Sequence, residues 1–312
     1  MKPGYTALRE SAAVLALPGR GIIIATGEDR ARLLHAMSTN HVKQLECGQG
    51  CYAFFLNDKG RILADANIFA LETQILLDTE PETRDSLRQH LDKFIIADDV
   101  TLEDISETYR CLTIEGPKAA DVMTAQGIPI PLDKYGLIPW EFGLVANVSA
   151  SGQAGWRLFV PAEDYETLFL RLIQAGITPA TPVDLLAVRL ENGIPRYGSD
   201  ITADYIPHET QRVAEAIHFS KGCYLGQEIV ERVRSRGNVN RLLTKLHIDA
   251  DEAPEPQTKI MAGEKEVGVI TSAVLSPALK CVIALGYVRA ELLRGGTELT
   301  TAAGHPVRIA ES

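Results

Sequence analysis

The chain has 312 residues, 46% hydrophobic and 23% charged, the balance of a folded protein of two or three compact units with no fibrous or disordered bias. Its formal net charge of −10 argues against a protein that grips nucleic acid mainly through phosphates, so direct RNA binding would need a local basic patch. No run approaches the roughly 18 apolar residues of a membrane span, and Met1-Lys2-Pro3-Gly4-Tyr5 leads into no signal-peptide core, so a cytoplasmic location with no membrane partner is expected.

Arg20 to Thr26 is a β-branched run that predicts a strand, and Gly27-Glu28-Asp29 opens a predicted helix through about Met37. Tyr52 to Leu56 and Ile62 to Phe69 predict paired strands around a turn at Asn57-Asp58-Lys59-Gly60, followed by a short strand at Gln74 to Asp78. Pro81 suits a helix start, and Leu87, Leu91 and Phe94 follow at helical spacing. The order then repeats: strand at Cys111 to Glu115, helix at Pro117 to Ala125, strand at Trp156 to Val160, helix at Asp164 to Gln174. Neither a Walker A sequence nor GxGxxG is present, so the alternation predicts α+β layers without a nucleotide-binding loop. After Arg241 the pattern changes to short apolar strands (Leu242 to Ile248, Val267 to Thr271, Cys281 to Tyr287, Val307 to Ile309) divided by Pro, Gly and acidic turns, which reads as a small antiparallel barrel.

The chemistry concentrates in three places. In Lys221-Gly222-Cys223-Tyr224-Leu225-Gly226-Gln227-Glu228 two glycines bracket a cysteine ahead of a helical run, Ile229 to Val233. A thiol near a helix start and two residues from a lysine is expected to have a lowered pKa and to be reactive. The alternative is a small buried cysteine in a tight turn. In Arg189-Leu190-Glu191-Asn192-Gly193, Glu191 falls on the last turn of a helix, where the dipole disfavours an anion. It would need a donor pair there, such as a pterin presents, or an ion pair with Arg189 or Arg196. Arg232, Arg234, Arg236, Arg241 and Lys245 reverse the sign of the chain locally and suit either carboxylates or phosphates. Five cysteines are an odd count that argues against a disulfide framework. Cys47, Cys51, His208 and His218 complete no metal quartet, so no metal site is expected.

The octapeptide 221–228 resembles the hallmark of YgfZ-type folate-binding proteins, a branch of the glycine-cleavage T-protein (aminomethyltransferase)-like superfamily. Arg189-Leu190-Glu191 with Gly193 and Pro195, Gly198 with Asp200, Gly268 to Ser272 and Ala284 to Val288 resemble elements shared across that superfamily. The resemblance implies an α+β cloverleaf of three domains around a central opening for tetrahydrofolate or a derivative. These are a discontinuous folate-binding domain (residues 1–47 and 109–240), an inserted α+β domain (48–108) and a C-terminal antiparallel β-barrel (241–312). It implies that Cys223 is the working thiol with Lys221 lowering its pKa, supported by Gly222, Tyr224, Gly226, Gln227 and Glu228. Glu191 falls where the superfamily reads the pterin, and Asp78 where the enzymes carry an asparagine near folate. The hairpin acids of the aminomethyltransferases correspond here to Ala64-Asp65, so the catalytic acid pair is incomplete and turnover is left open.

The implied function is that of an accessory protein for assembly or repair of iron–sulfur clusters. Its partners would be iron–sulfur assembly factors or client enzymes, and tRNA-modifying clients would be affected indirectly. The alternatives are a folate-dependent aminomethyltransferase using Asp65, and an RNA-binding module using the arginine run.

Overall fold

A computed structural model describes residues 2–237 and 239–310; Met1, Asn238, Glu311 and Ser312, including the ends of two predicted domains, lie outside the described residues. In chain order the first elements are helix α1 (Pro3–Glu10), strands β1 (Ala13–Leu17) and β2 (Gly21–Thr26), and α2 (Arg30–Met37). Next come β3 (Gly50–Leu56), β4 (Ile62–Ala70), β5 (Ile75–Thr79), α3 (Arg84–Asp92) and β6 (Thr101–Asp104). The middle holds β7 (Tyr109–Glu115), α4 (Ala119–Ala125), β8 (Leu137–Trp140), β9 (Gly143–Ala146), β10 (Gly155–Pro161), α5 (Tyr165–Gln174), β11 (Thr178–Pro179) and α6 (Pro182–Glu191). After α7 (Val213–Ala216) and α8 (Gln227–Arg236) follow six strands, β12 (Arg241–Ile248), β13 (Lys259–Ala262), β14 (Lys265–Leu275), β15 (Val282–Arg289), β16 (Leu299–Thr301) and β17 (Pro306–Ile309).

These strands make two open sheets and one barrel. The first sheet runs β11-β1-β7-β10-β9-β8 and the second β3-β4-β5-β2-β6, while β12-β15-β14-β13-β16-β17 closes on itself as an antiparallel barrel. The barrel expected after Arg241 is therefore present, with β13 and β16 in addition to the four strands the apolar runs predicted.

Period-two alternation decides which face goes where. On the second sheet Ile23, Ala25, Ala53, Phe55, Ala66, Ile68 and Leu77 pack under α2 and α3. The opposite face sends Ile22, Ile24, Phe69 and Leu76 against Cys111, Leu137, Ala146 and Phe159 of the first sheet. The first sheet covers its outer face with Met123 of α4 and Leu168 and Leu172 of α5. Two sheets thus meet face to face, each with helices outside.

The domain boundary at residue 48 is corrected here. Gly21–Thr26 pairs with both β5 and β6, so the second sheet already includes β2. Its hydrophobic run gave no sign of partner choice, because pairing is set by which edges lie free after folding. The segment after α6 also joins this unit: Tyr197, Ile201, Ala216, Tyr224 and Val230 cluster with Tyr52, Phe54, Leu56 and Ile62 of the β3–β4 hairpin.

Candidate functional site

Where the two sheets separate beside α6 they leave a central cavity of about 890 Å³. Strands β3, β4 and β5 send Tyr52, Asp65, Asn67 and Asp78 into it, because these alternate with the apolar residues under α2 and α3. Tyr52 Oη donates to Asp65 Oδ2 at 2.7 Å. Burial, with the negative charge of Glu80 adding to it, pushes the Asp65 carboxyl up to about 6. An acid poised this close to neutrality can hold or release a proton in physiological conditions.

Asp78 also lines the cavity, but its oxygens are taken. It is fully buried and accepts from Arg20 Nε at 2.5 Å, from Asn67 Nδ2 at 2.9 Å and from Arg157 Nη1. Burial alone would raise its pKa, yet the Arg157 and Arg20 guanidiniums outweigh it and hold the carboxylate below the usual range. Arg20 also donates to Glu80, and Glu80 meets Arg196 Nε at 3.0 Å. Arg157 comes from β10 of the first sheet, so this ion pair bridges the two sheets.

On another part of the wall Arg212 lies over the Tyr52 ring, 4.7 Å from its centre, and pairs with Glu215 at 2.6 Å. Glu215 also accepts from Tyr135 Oη and Lys134. The loop over residues 149–155 completes the lining. It is pinned by Glu115, a buried carboxylate that accepts from Ala150 N at 2.7 Å, Ser151 N at 2.8 Å and Ser149 Oγ at 3.0 Å.

Glu191 does not line the cavity. It ends α6 as expected, but Oε1 accepts from Tyr5 Oη and Ser276 Oγ, both at 2.7 Å, and Arg9 Nε stands 3.6 Å from Oε2. The donors to Oε1 come from α1 and from the loop after β14, while Oε2 is buried with no hydrogen-bond partner among the described residues. The neighbouring elements form a joint as well. Asp200 accepts from Arg189 Nη1 at 2.5 Å and from Thr271 Oγ1 at 2.6 Å, which ties α6 to the barrel.

The 221–228 turn sits beneath α2 and the β3–β4 hairpin. Lys221 is buried, and its ammonium donates to the carbonyls of His35, at 2.5 Å, and Ser38. Burial lowers its pKa to about 7. Lys221, expected to lower the pKa of the Cys223 thiol, commits its amine to the carbonyl end of α2. Cys223 is exposed, so the buried-cysteine alternative does not hold. Tyr224 N is bonded to Gln227 Oε1 at 3.3 Å, while Glu228 is exposed at the start of α8. Gly226 has φ of +82°, and a Cβ there would lie 2.6 Å from the carbonyl oxygen of Asn57. Only glycine lets the turn close onto the hairpin. Gly222 carries no such restriction, its nearest neighbour being His35 Nε2 at 4.0 Å.

Arg20, Glu80, Arg157 and Arg212 were not picked out in the sequence. Arg157 did leave a signal: it is the one charged residue within Trp156-Arg157-Leu158-Phe159-Val160, and a buried strand keeps a guanidinium only opposite a carboxylate. Among the described residues no group of three His, Cys, Asp or Glu is placed to hold a metal ion, and no helix is long and apolar enough to cross a membrane.

Comparison with known proteins follows the same division of the chain. Residues 2–221 match the family model described as the GCVT N-terminal domain, and 241–311 match the glycine cleavage T-protein C-terminal barrel domain. An aminomethyltransferase of Herpetosiphon aurantiacus is 24% identical over 95% of this chain and 83% of its own length. One of Thermus thermophilus is 28% identical over 91% and 81%. The crystal structure of the glycine cleavage system aminomethyltransferase T from Bartonella henselae superimposes with a TM-score of 0.90, covering 99% of this chain and 87% of that one at 19% identity. That likeness establishes the shared fold.

Proposed function

Because the chain belongs to the glycine cleavage T-protein family, we propose that its cavity binds tetrahydrofolate or a derivative and that the protein serves as an accessory factor for iron–sulfur enzymes. The cavity, at about 890 Å³, lies in the range of pockets that enclose a drug-sized ligand, with a few polar groups converging on apolar walls. The donor set fits the group: Tyr52, Asp65 and Arg212 offer both donors and acceptors, and Arg157 Nε is buried without a partner among the described residues. When bound, tetrahydrofolate supplies a carrier for a one-carbon unit. The chain's own part is to bind it and exclude water.

The observation that carries the accessory reading is the place of Cys223. The thiol is exposed on a turn outside the cavity lining, yet that turn rests on the hairpin whose strands bear Tyr52 and Asp65. An exposed thiol can meet a client protein; a cavity acid cannot. Iron–sulfur assembly factors or client enzymes are the partners, and effects on tRNA modification arise through such clients.

A second reading, a folate-dependent aminomethyltransferase, is favoured by one observation: Asp65 lines the cavity with its pKa raised to about 6, the setting of a general acid or base. Two substitutions separate the readings. In cells lacking the protein, Cys223→Ala is expected to abolish rescue of iron–sulfur enzyme activity while the purified variant keeps its tetrahydrofolate affinity. Asp65→Asn is expected to rescue nearly fully. The reverse ranking would establish the transferase and remove Cys223 from the function.

A further inference from the structure

Asp78 and Arg157 face the cavity, yet they differ in what they have left to give. Asp78 accepts from Arg20, Asn67 and Arg157, so a ligand's N–H groups meet a carboxylate already in use. Arg157 is the reverse case. Among the described residues its guanidinium is bonded through Nη1 alone, and Nε has no partner although the side chain is only 4% exposed. A guanidinium carries five donors in a planar fork, and a buried one left mostly unsatisfied is costly. Arg20, by contrast, spends two nitrogens on Asp78 and Glu80. The free edge of Arg157 is therefore a feature of the wall formed by β4, β5 and β10 that has no counterpart among the described residues.

Resting on the folate reading above, we propose that Arg157 reads the cavity ligand by donating to one of its oxygen acceptors, and that Asp78 is the positioning residue that holds Arg157. The wall formed by β4, β5 and β10 thus selects an acceptor-bearing face of the ligand and rejects a donor-bearing one, because a guanidinium facing an amino group leaves both unpaired. Of the oxygens on a reduced folate, those at its two ends, the 4-oxo group of the pterin and the carboxylates of the glutamate tail, are the acceptors expected at Arg157, and the benzoyl amide carbonyl between them is not. Lysine does not substitute for arginine here, since a point charge on a flexible stem loses the fork while keeping the ion pair with Asp78.

The test is calorimetry on the full chain with three probes: tetrahydrofolate, tetrahydropteroate, which lacks the glutamate tail, and tetrahydroaminopterin, whose 4-oxo group is replaced by amino. Arg157→Lys is expected to lower tetrahydrofolate affinity by about tenfold or more, as loss of a charged hydrogen bond does. Asp78→Asn is expected to lower it in the same pattern across the probes. If the 4-oxo group is the acceptor, both variants leave tetrahydroaminopterin affinity unchanged; if the tail is, they leave tetrahydropteroate affinity unchanged. Either result supports the proposal and names the source. Equal losses on all three probes mark a structural role and overturn it, as does undiminished tetrahydrofolate affinity in Arg157→Lys. Should the variants not fold, the wild-type chain still answers through its arginine Nε–H resonances. Tetrahydrofolate is expected to shift one of them and slow its exchange, and a spectrum without such a change overturns the assignment. Failure of the wild-type chain to bind any probe removes the folate reading itself, a result distinct from binding that ignores Arg157.

Discussion

Lys221 carries the sharpest residue-level consequence. An ammonium that donates to two carbonyls inside the protein is held there by geometry, while burial lowers its pKa from 10.5 to about 7. Between those values the unfolded chain holds a proton that the folded chain has shed, so stability rises with pH across this window and is lost as pH falls toward the folded value. Urea midpoints measured near pH 7 and near pH 9 are expected to climb for the wild-type chain, and Lys221→Met should flatten that climb. An equal slope in both proteins would show that another group sets it. Glu191 gives a contrasting expectation. Its carboxylate receives Tyr5 and Ser276 and does not line the cavity, so Glu191→Gln should cost roughly 1–3 kcal/mol of stability and leave tetrahydrofolate affinity within about twofold. Chemical denaturation and calorimetry on the same sample check both halves; a large affinity loss with unchanged stability would return Glu191 to the ligand. At this scale the sequence was only partly legible. Helical spacing placed Glu191 on the last turn of α6 correctly, but the partner across space came from α1, some 186 residues away in the chain, where no local pattern reaches.

Elements were easier to read than contacts. The turn at Asn57 to Gly60, the helix before Gly193 and four of the six barrel strands follow from side-chain periodicity and turn chemistry, and all of these are present. What periodicity could not supply was the docking of one element on another. The octapeptide showed two glycines around a cysteine, and the structure separates their roles: Gly226 is required by its positive φ and the Asn57 carbonyl, while Gly222 faces open space. Gly226→Ala is expected to cost roughly 1–3 kcal/mol through backbone strain alone, with further loss if the hairpin shifts. Gly222→Ala should be nearly neutral. Thermal unfolding distinguishes them, and equal effects at the two positions would mean that the turn does not rest on the hairpin in solution. The arginine run took a plainer form than its number suggested: Arg241 of β12 is tied to Glu209 at 2.8 Å and Arg234 of α8 covers the Phe219 ring, so the run is not a uniform patch of free charge.

Across the whole molecule the surprise lay in the connectivity. A strand from the first stretch of chain, β2, completes the second sheet, and residues after α6 return to cover the β3–β4 hairpin. Apolar runs fix that a strand is buried, not which neighbour it takes, so the boundary at residue 48 could not be read without the pairing. That hairpin has cavity residues along its strands and the 221–226 turn across its tip. The two locations therefore share one hairpin, and thermodynamic reciprocity constrains any coupling between them. If tetrahydrofolate in the cavity slows alkylation of Cys223 by stabilising the closed turn, then a chain already alkylated at Cys223 must bind tetrahydrofolate more weakly by the factor its closed state has lost. Iodoacetamide rates with and without ligand, set against ligand affinity with and without the modification, would measure the two sides of that cycle. Agreement of the two sides would mean that occupancy of the cavity is legible at the surface, so that a partner touching the thiol would sense folate without ever meeting it.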